Sequence, residues 1–252
     1  MMRRLIFWSL GILGPLALGL GWWLGAWWEL LMLPPIALAL WATWVPGCDW
    51  WGPVMRVFPT RKREALLTFD LGPDPEETPQ VLDLLDAHRA RALFFVSGEK
   101  ARHYPELIQE IVARGHGLGL HGMSDTTPPF LRRTSGHWRV EIRAALQVIG
   151  HLLPGYTVQW FRTANGCLGP WLHPALETHQ LRFMGWSASD GPNGLQDFEA
   201  LVIQLRRDID QGGIIRLRHG RKDAADVPML PDVLADLLPW LIGQSYRLGE
   251  EA

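Results

Sequence analysis

Six ionisable side chains stand at or just beyond the ends of short apolar runs. Asp70 closes Leu66-Leu67-Thr68-Phe69, and the chain then turns through Gly72-Pro73. His121 closes the run from Gly117 to Leu120, and Asp125 follows four residues later. Arg162, Asp190 and His219 follow the runs at 158–161, 181–186 and 214–217. A strand buried in a parallel sheet delivers the residue at its carboxyl end to the face where loops converge, which is where α/β enzymes place chemistry. Carboxylate, imidazole and guanidinium groups gathered on such a face can move protons or hold a cation. One residue stands against this reading. Leu71, directly after Asp70, is apolar where a polar side chain would serve.

The elements that must position these groups follow from periodicity. Strands are expected at 65–70, 92–96, 117–120, 158–161, 181–186, 214–217 and 246–248. Thr78-Pro79 reads as an N-cap followed by Pro at the first helical position, opening a helix at 80–88. Leu107, Ile108, Ile111 and Val112 have helical spacing over 104–114, and Gly115 stops that helix. Further helices are expected at 138–153, 170–178, 197–210 and 231–242. Strands alternating with helices at this spacing predict a parallel sheet or barrel with helices outside.

The 252 residues suffice for one sizeable core plus an appendage. The net charge of −2 carries no nucleic-acid footprint. Two cysteines, Cys48 and Cys167, imply neither a disulfide framework nor a thiolate metal site. Nine of the 14 tryptophans lie in the first 51 residues, where the only charges are Arg3, Arg4, Glu29 and Asp49. This break divides the chain into a membrane anchor at 1–52, a basic linker at 53–63 and a catalytic-type domain at 64–252. Leu5 to Trp28 is 24 residues without a charge, long enough for a spanning helix. Its length, and the lack of a small-residue cleavage site, argue against a cleaved signal peptide. A second run, Leu30 to Val45, is interrupted by Pro34-Pro35. If it crosses, Arg3 and Arg4 at one end and Arg56, Arg61, Lys62 and Arg63 at the other make a hairpin with the domain in the cytoplasm. If it does not, the domain lies outside. The charges favour the hairpin, on a bacterial-type cytoplasmic membrane.

At the strand ends the chain resembles the polysaccharide deacetylases, the NodB-like carbohydrate amidases. Thr68-Phe69-Asp70-Leu71-Gly72-Pro73 is similar to that family's T-F-D-D-G-P. Residues 115–125, from Gly115-His116 to Ser124-Asp125, are similar to G-H-x-I-x-N-H-[ST]-x-[ST]-H. Phe161-Arg162-Thr163-Ala164-Asn165-Gly166 is similar to F-R-x-P-x-G. Trp186 to Asp190 falls where a W-…-D segment is expected, and Gly213 to His219 is similar to G-x-I-x-L-x-H. The resemblance covers about residues 64–248. It implies a distorted (β/α) barrel and hydrolysis of an N-acyl group on a sugar, assisted by a divalent metal, most often zinc. Carried over position by position, Asp70 is the general base, Arg162 orients it, His219 is the acid that protonates the leaving amine, and Asp190 is a supporting carboxylate. His121 is the first metal histidine. The second metal aspartate is replaced by Leu71 and the second histidine by Asp125, so His121 and Asp125 remain as a weakened ligand pair. Ala164 replaces a proline, and Arg218 is a cation where the family is apolar.

Each residue also has a plain structural role open to it. Asp70 could cap the Gly-Pro turn, His121 could be a satisfied core histidine, Asp125 could cap a loop, and Arg162 and His219 could join a structural network around Asp70. His116 reads as a helix-end residue, and His173 among others as solvated surface. Two functions follow. One is hydrolysis of an acetyl or formyl group, at a carbon–nitrogen bond that is not a peptide, on a cell-envelope or lipid-linked sugar. The other is a catalytically inactive homologue that binds a glycan or a partner protein. The oligomeric state is open.

Overall fold

The computed structural model describes residues 33–45, 48–58, 60, 62–125, 134–191, 198–209, 212–222 and 228–249. In chain order they form α1 (Leu33–Trp44), β1 (Glu64–Gly72), α2 (Glu77–Ala87), β2 (Ala92–Ser97), α3 (Gly98–His103), α4 (Pro105–Ala113), β3 (Gly117–Gly122), α5 (Ser135–Leu152), β4 (Trp160–Phe161), α6 (Leu172–Thr178), β5 (Arg182–Phe183), β6 (Ala188–Ser189), α7 (Phe198–Asp208), β7 (Gly213–Arg218), α8 (Leu230–Gly243) and β8 (Arg247–Leu248), with a 3-10 turn at Asp49–Trp51. The strands make one sheet in the order β5-β4-β3-β2-β1-β7-β6, and β8 pairs with the start of β1. Every pair is parallel. The sheet is a curled half-barrel: its edge strands, β5 and β6, do not pair with each other.

Strand period explains why apolar runs end in ionisable groups. Both faces of β1 are covered, so it reads as a continuous apolar run rather than an alternating one. Ala65, Leu67 and Phe69 face the helices, whereas Leu66 joins an inner cluster with Leu93, Phe95, Trp160, Met184 and Ile214. Thr68 and Asp70 continue the inner face by the two-residue period. On β7, Ile215 and Leu217 face the helices, which leaves Arg216 and Arg218 to the inner side with Ile214. The register sets Asp70 opposite Arg218 and Thr68 opposite Arg216.

The helices follow their apolar spacing. Ile108 and Ile111 bury one side of α4. Trp138, Ile142, Ala145 and Ile149 bury one side of α5, which Thr134 caps by accepting the His137 N–H at 3.2 Å. Two differences from the sequence expectation bear on the site. The strand expected at 181–186 is only β5, at Arg182–Phe183, and a further short strand, β6, follows at Ala188–Ser189. Thr78 is also not the cap of α2. Asp74 takes that role, its Oδ1 accepting the Glu76 and Glu77 N–H groups at 2.9 Å each, and Thr78 lies within the first turn, fully buried.

Among the described residues no helix is long and apolar enough to cross a membrane. The first apolar run, Leu5 to Trp28, lies outside them. The second run, expected as one arm of a hairpin, contains the 12-residue helix α1, about 18 Å long at 1.5 Å per residue against a hydrocarbon core of about 30 Å. Pro34 and Pro35 start this helix instead of breaking it, because first-turn N–H groups have no intrahelical acceptor to lose. Ala42 and Thr43 on α1 are buried, and a methyl group on Gly169 would sit 3.9 Å from Thr43 Cγ2, so this part of the helix packs on the domain. Residues 55–58 of the basic segment also contact the sheet, where Met55 bridges Met184 and Val57 bridges Gly213.

Candidate functional site

Asp70, His121, Arg162 and His219 meet at the carboxyl end of the sheet, all of them at most 4% exposed. Arg162, just beyond β4, is wholly buried and uses its fork fully. Nη1 donates to Asp70 Oδ1 at 2.7 Å and to Thr68 Oγ1 at 2.9 Å, Nε to the Met184 carbonyl at 3.0 Å, and Nη2 to the Gly185 carbonyl at 2.9 Å. The guanidinium lies 4.1 Å from the Phe95 ring centroid and 5.5 Å from that of Trp186. Phe95 can approach because residue 119 is glycine; a Cβ there would come within 2.5 Å of its ring. Gly166 admits Trp186 in the same way, with φ +69° and a Cβ position 2.0 Å from the indole. Asp70 Oδ2 is buried and accepts no hydrogen bond, and Arg216 Nε stands 4.0 Å from it, itself without a hydrogen-bond partner.

His219 is neutral at physiological pH. Its Nδ1 donates to the Asp70 carbonyl at 3.3 Å, and its Nε2 accepts from the Thr78 hydroxyl at 3.2 Å, an arrangement that uses both ring nitrogens without an extra proton. Burial, with help from the Lys100 ammonium, pushes its pKa down to about 4. An acid for a leaving amine needs the imidazolium, so this setting opposes the role that the resemblance assigns. Thr78 is a site residue that sequence reading placed elsewhere, as a helix cap. Thr68, the first residue of the T-F-D motif, is another: its hydroxyl donates to the Ile215 carbonyl at 2.9 Å and accepts from Arg162.

Asp190 is linked to Asp70 through arginine. Both of its oxygens accept from Arg218 Nε at 3.1 Å, and Arg216 Nη2 and Arg221 Nη1 approach to 3.6 and 3.4 Å. Arg216 therefore bridges the two carboxylates, with Trp186 stacked 3.9 Å from its guanidinium. None of these arginines was expected to shape the site except Arg218. His116 stands at the end of α4 as expected, its backbone N–H donating to the Ile111 carbonyl at 3.1 Å, and it is 3% exposed, with both ring nitrogens unpartnered and a pKa pushed down to about 4 by burial. The reading of His173 changes. His173 is half-buried at the start of α6, and burial lowers its pKa as well.

The metal ligands implied by the resemblance can be tested on the donors present. His121 donates from Nδ1 to the Arg162 carbonyl at 2.8 Å, which leaves the lone pair on Nε2. That nitrogen faces the Leu71 N–H at 3.4 Å and Asp70 Oδ1 at 3.8 Å. Asp125 has one oxygen without a partner and the other 3.8 Å from Lys100 Nζ. The side chain at 71 offers no donor atom. Among the described residues, no three His, Cys, Asp or Glu side chains come close enough to hold a metal ion. A catalytic zinc uses three protein ligands and an open position, so this set does not fit the family's metal.

Leu71 also sits in the left-handed region, at φ 62°. Asp and Asn tolerate that conformation far better than leucine, for which it costs about 1–2 kcal/mol. Replacing Leu71 by Asn is therefore expected to raise unfolding stability by about 1 kcal/mol, measured by denaturant titration. No gain would show that the leucine side chain holds contacts worth as much as the strain.

The buried histidines set a pH dependence. His219 and His116 bind a proton near pH 6.5 when unfolded and near pH 4 when folded. Between those values the unfolded chain holds more protons, so stability rises with pH. The contribution is complete above pH 6.5 and is lost as pH falls toward 4, on the order of 1–3 kcal/mol for each group. Urea midpoints at pH 7 and pH 5 should fall accordingly, and the fall should shrink in His116→Gln. Equal midpoints at the two pH values would contradict the buried, neutral state of both rings.

The polysaccharide deacetylase family model matches residues 58–184, half of the chain. A peptidoglycan-N-acetylglucosamine deacetylase of Bacillus cereus is 27% identical over 199 residues, covering 75% of this chain and 86% of that protein. A chitooligosaccharide deacetylase of Bradyrhizobium is 32% identical over 161 residues, covering 63% and 71%. Among solved structures, a CE4 family pseudoenzyme from Bacillus anthracis superposes with a TM-score of 0.66 at 20% identity, over 78% of this chain and 66% of that one, a likeness of fold. With the motif residues gathered at the carboxyl ends of one curled parallel sheet, the chain belongs to the polysaccharide deacetylase family.

Proposed function

We propose that this chain is a glycan-binding member of the family that recognises N-acylated amino sugars of the cell envelope and turns them over at most slowly. The observation that carries this reading is the donor set at the metal corner. Position 71 supplies no ligand atom, Asp125 faces a lysine, and no third carboxylate or imidazole of the described residues joins His121. Without a metal there is nothing of that kind to polarise an amide carbonyl or to lower the pKa of water, and those two effects account for much of the rate in this chemistry. The neutral His219 points the same way. The ligand class is taken from the relatives, whose names give N-acetylglucosamine in peptidoglycan and chitooligosaccharides as their substrates.

Hydrolysis is kept as a second reading because one observation favours it. Asp70 is held by Arg162 in the arrangement that the resemblance implies for a base, and its Oδ2 accepts no hydrogen bond. Calorimetry with chitooligosaccharides, an amine-release assay and elemental analysis on one preparation separate the two. Binding, well under one equivalent of zinc and background amine release are expected. Stoichiometric zinc with amine release would establish the enzyme instead.

The apolar stretch from Leu5 to Trp28 is proposed as a membrane anchor. The 12-residue length of α1 and its buried Ala42 and Thr43 favour a single span. With Arg3 and Arg4 on the cytoplasmic side, a single span sends the domain to the outer side, next to envelope glycans. A reporter fused after Ala252 should then be active in the periplasm; activity confined to the cytoplasm would restore the hairpin.

A further inference from the structure

The corner where the resemblance puts a metal already contains a positive charge. Lys100 reaches it from the first turn of α3, directly after β2. Its Nζ donates to the Leu71 carbonyl oxygen and stands 3.8 Å from Asp125 Oδ2. The N–H of the same Leu71 faces His121 Nε2 at 3.4 Å. The ammonium therefore bonds the backbone of one expected ligand position and pairs with the side chain of another, and Leu71 faces the third through its N–H. It is held in place from its own side as well, since Ser97 caps α3 by accepting the Lys100 N–H at 3.3 Å. Glu99 at the start of α3 donates its N–H to the Met123 carbonyl at 2.9 Å, which ties this helix to the loop that carries Asp125.

Leu71, Asp125 and Lys100 then form one set at this corner. A dication this close to an ammonium would be repelled. Leu71 removes one carboxylate that would have drawn a dication, and Asp125 replaces a neutral imidazole by an anion suited to a lysine. Their combined effect exchanges a metal with protein ligands for a cation that is part of the chain. An ammonium offers three N–H donors, and among the described residues one acceptor, the Leu71 carbonyl, lies within hydrogen-bond distance. The lysine side chain is about one-third exposed, so its remaining donors are within reach of a ligand oxygen.

We propose that the Lys100 ammonium is the resident cation of this pocket, standing in place of a divalent metal and donating a hydrogen bond to the acyl oxygen of a bound N-acylated sugar. The inference rests on the glycan-binding reading for its ligand, but its account of the metal corner can be tested separately.

The test is cobalt binding, read from the visible absorption of the ion and by calorimetry. The double variant Leu71→Asp, Asp125→His restores the family's ligand types and keeps Lys100. The triple variant adds Lys100→Gln. Cobalt is expected to bind at least tenfold more tightly to the triple variant than to the double. Equal affinities would overturn the proposal, as would stoichiometric cobalt on the unaltered protein. If the double variant does not fold, by far-UV circular dichroism, the comparison passes to Lys100→Gln alone against the unaltered chain, with the same expected order of affinities. In parallel, Lys100→Gln should weaken chitooligosaccharide binding at least fivefold. A chain that binds no chitooligosaccharide defeats the glycan reading and the acyl-oxygen role, while the cobalt comparison still decides the metal corner. Sugar binding that is unchanged in Lys100→Gln defeats the role of the lysine alone.

Discussion

A buried ion pair organises this molecule. Asp70 and Arg162 are both fully buried, and a carboxylate or guanidinium in that setting is tolerable only when its partners are in place. Arg162 meets the demand with four side-chain hydrogen bonds, one of them to its ionic partner Asp70, and its flat faces lie near Phe95 and Trp186. The acceptors belong to two separate parts of the sheet: Thr68 and Asp70 to β1, Met184 and Gly185 to the turn after β5. The pair thus binds the centre of the half-barrel to its edge. Glycines at 119 and 166 are the counterpart of this arrangement, because a methyl group at either position would collide with the rings that flank the guanidinium.

Around that pair, the pocket is rich in cations. Arginines at 216 and 218 place guanidinium groups on the inner face beside Asp70 and Asp190. Lys100 adds a further cation beside Leu71, and a leucine stands where a ligand is expected. Three cations thus crowd the two buried carboxylates, and Asp125 adds an anion beside the lysine. Such a pocket is poorly suited to hold a dication and well suited to oxygen-rich or anionic groups. Asp70 and Arg162 persist within it because removing either would leave the other charged and unpaired in the core, at a cost of about 3–5 kcal/mol. Their presence is thus accounted for by stability as fully as by catalysis.

Much of the fold was legible in the residue order. The two-residue period and the continuous apolar runs marked β1, β2, β3 and β7, and helical spacing marked α4 and α5. The motif residues Asp70, His121, Arg162 and His219 do converge. Boundaries failed where the signal was local and weak. β4, β5, β6 and β8 are two residues each, too short for a period to register. Thr78 followed by Pro has the form of a cap, yet Asp74 four residues earlier captured the free N–H groups.

Chain order alone determined which residue types arrive at the strand ends, because alternation along a strand and the turn after it are properties of neighbouring residues. It also determined that position 71 carries no ligand atom. Only the tertiary structure decided what those residues meet. Arg162 lies 92 positions from Asp70, and Thr78 lies 141 from His219. Such partners are chosen by strand register and sheet curl, which no local pattern encodes. Lys100 shows this most clearly. In sequence it is one more charged residue in a short helix, and in space it occupies the corner of the pocket that the motif reserves for a metal.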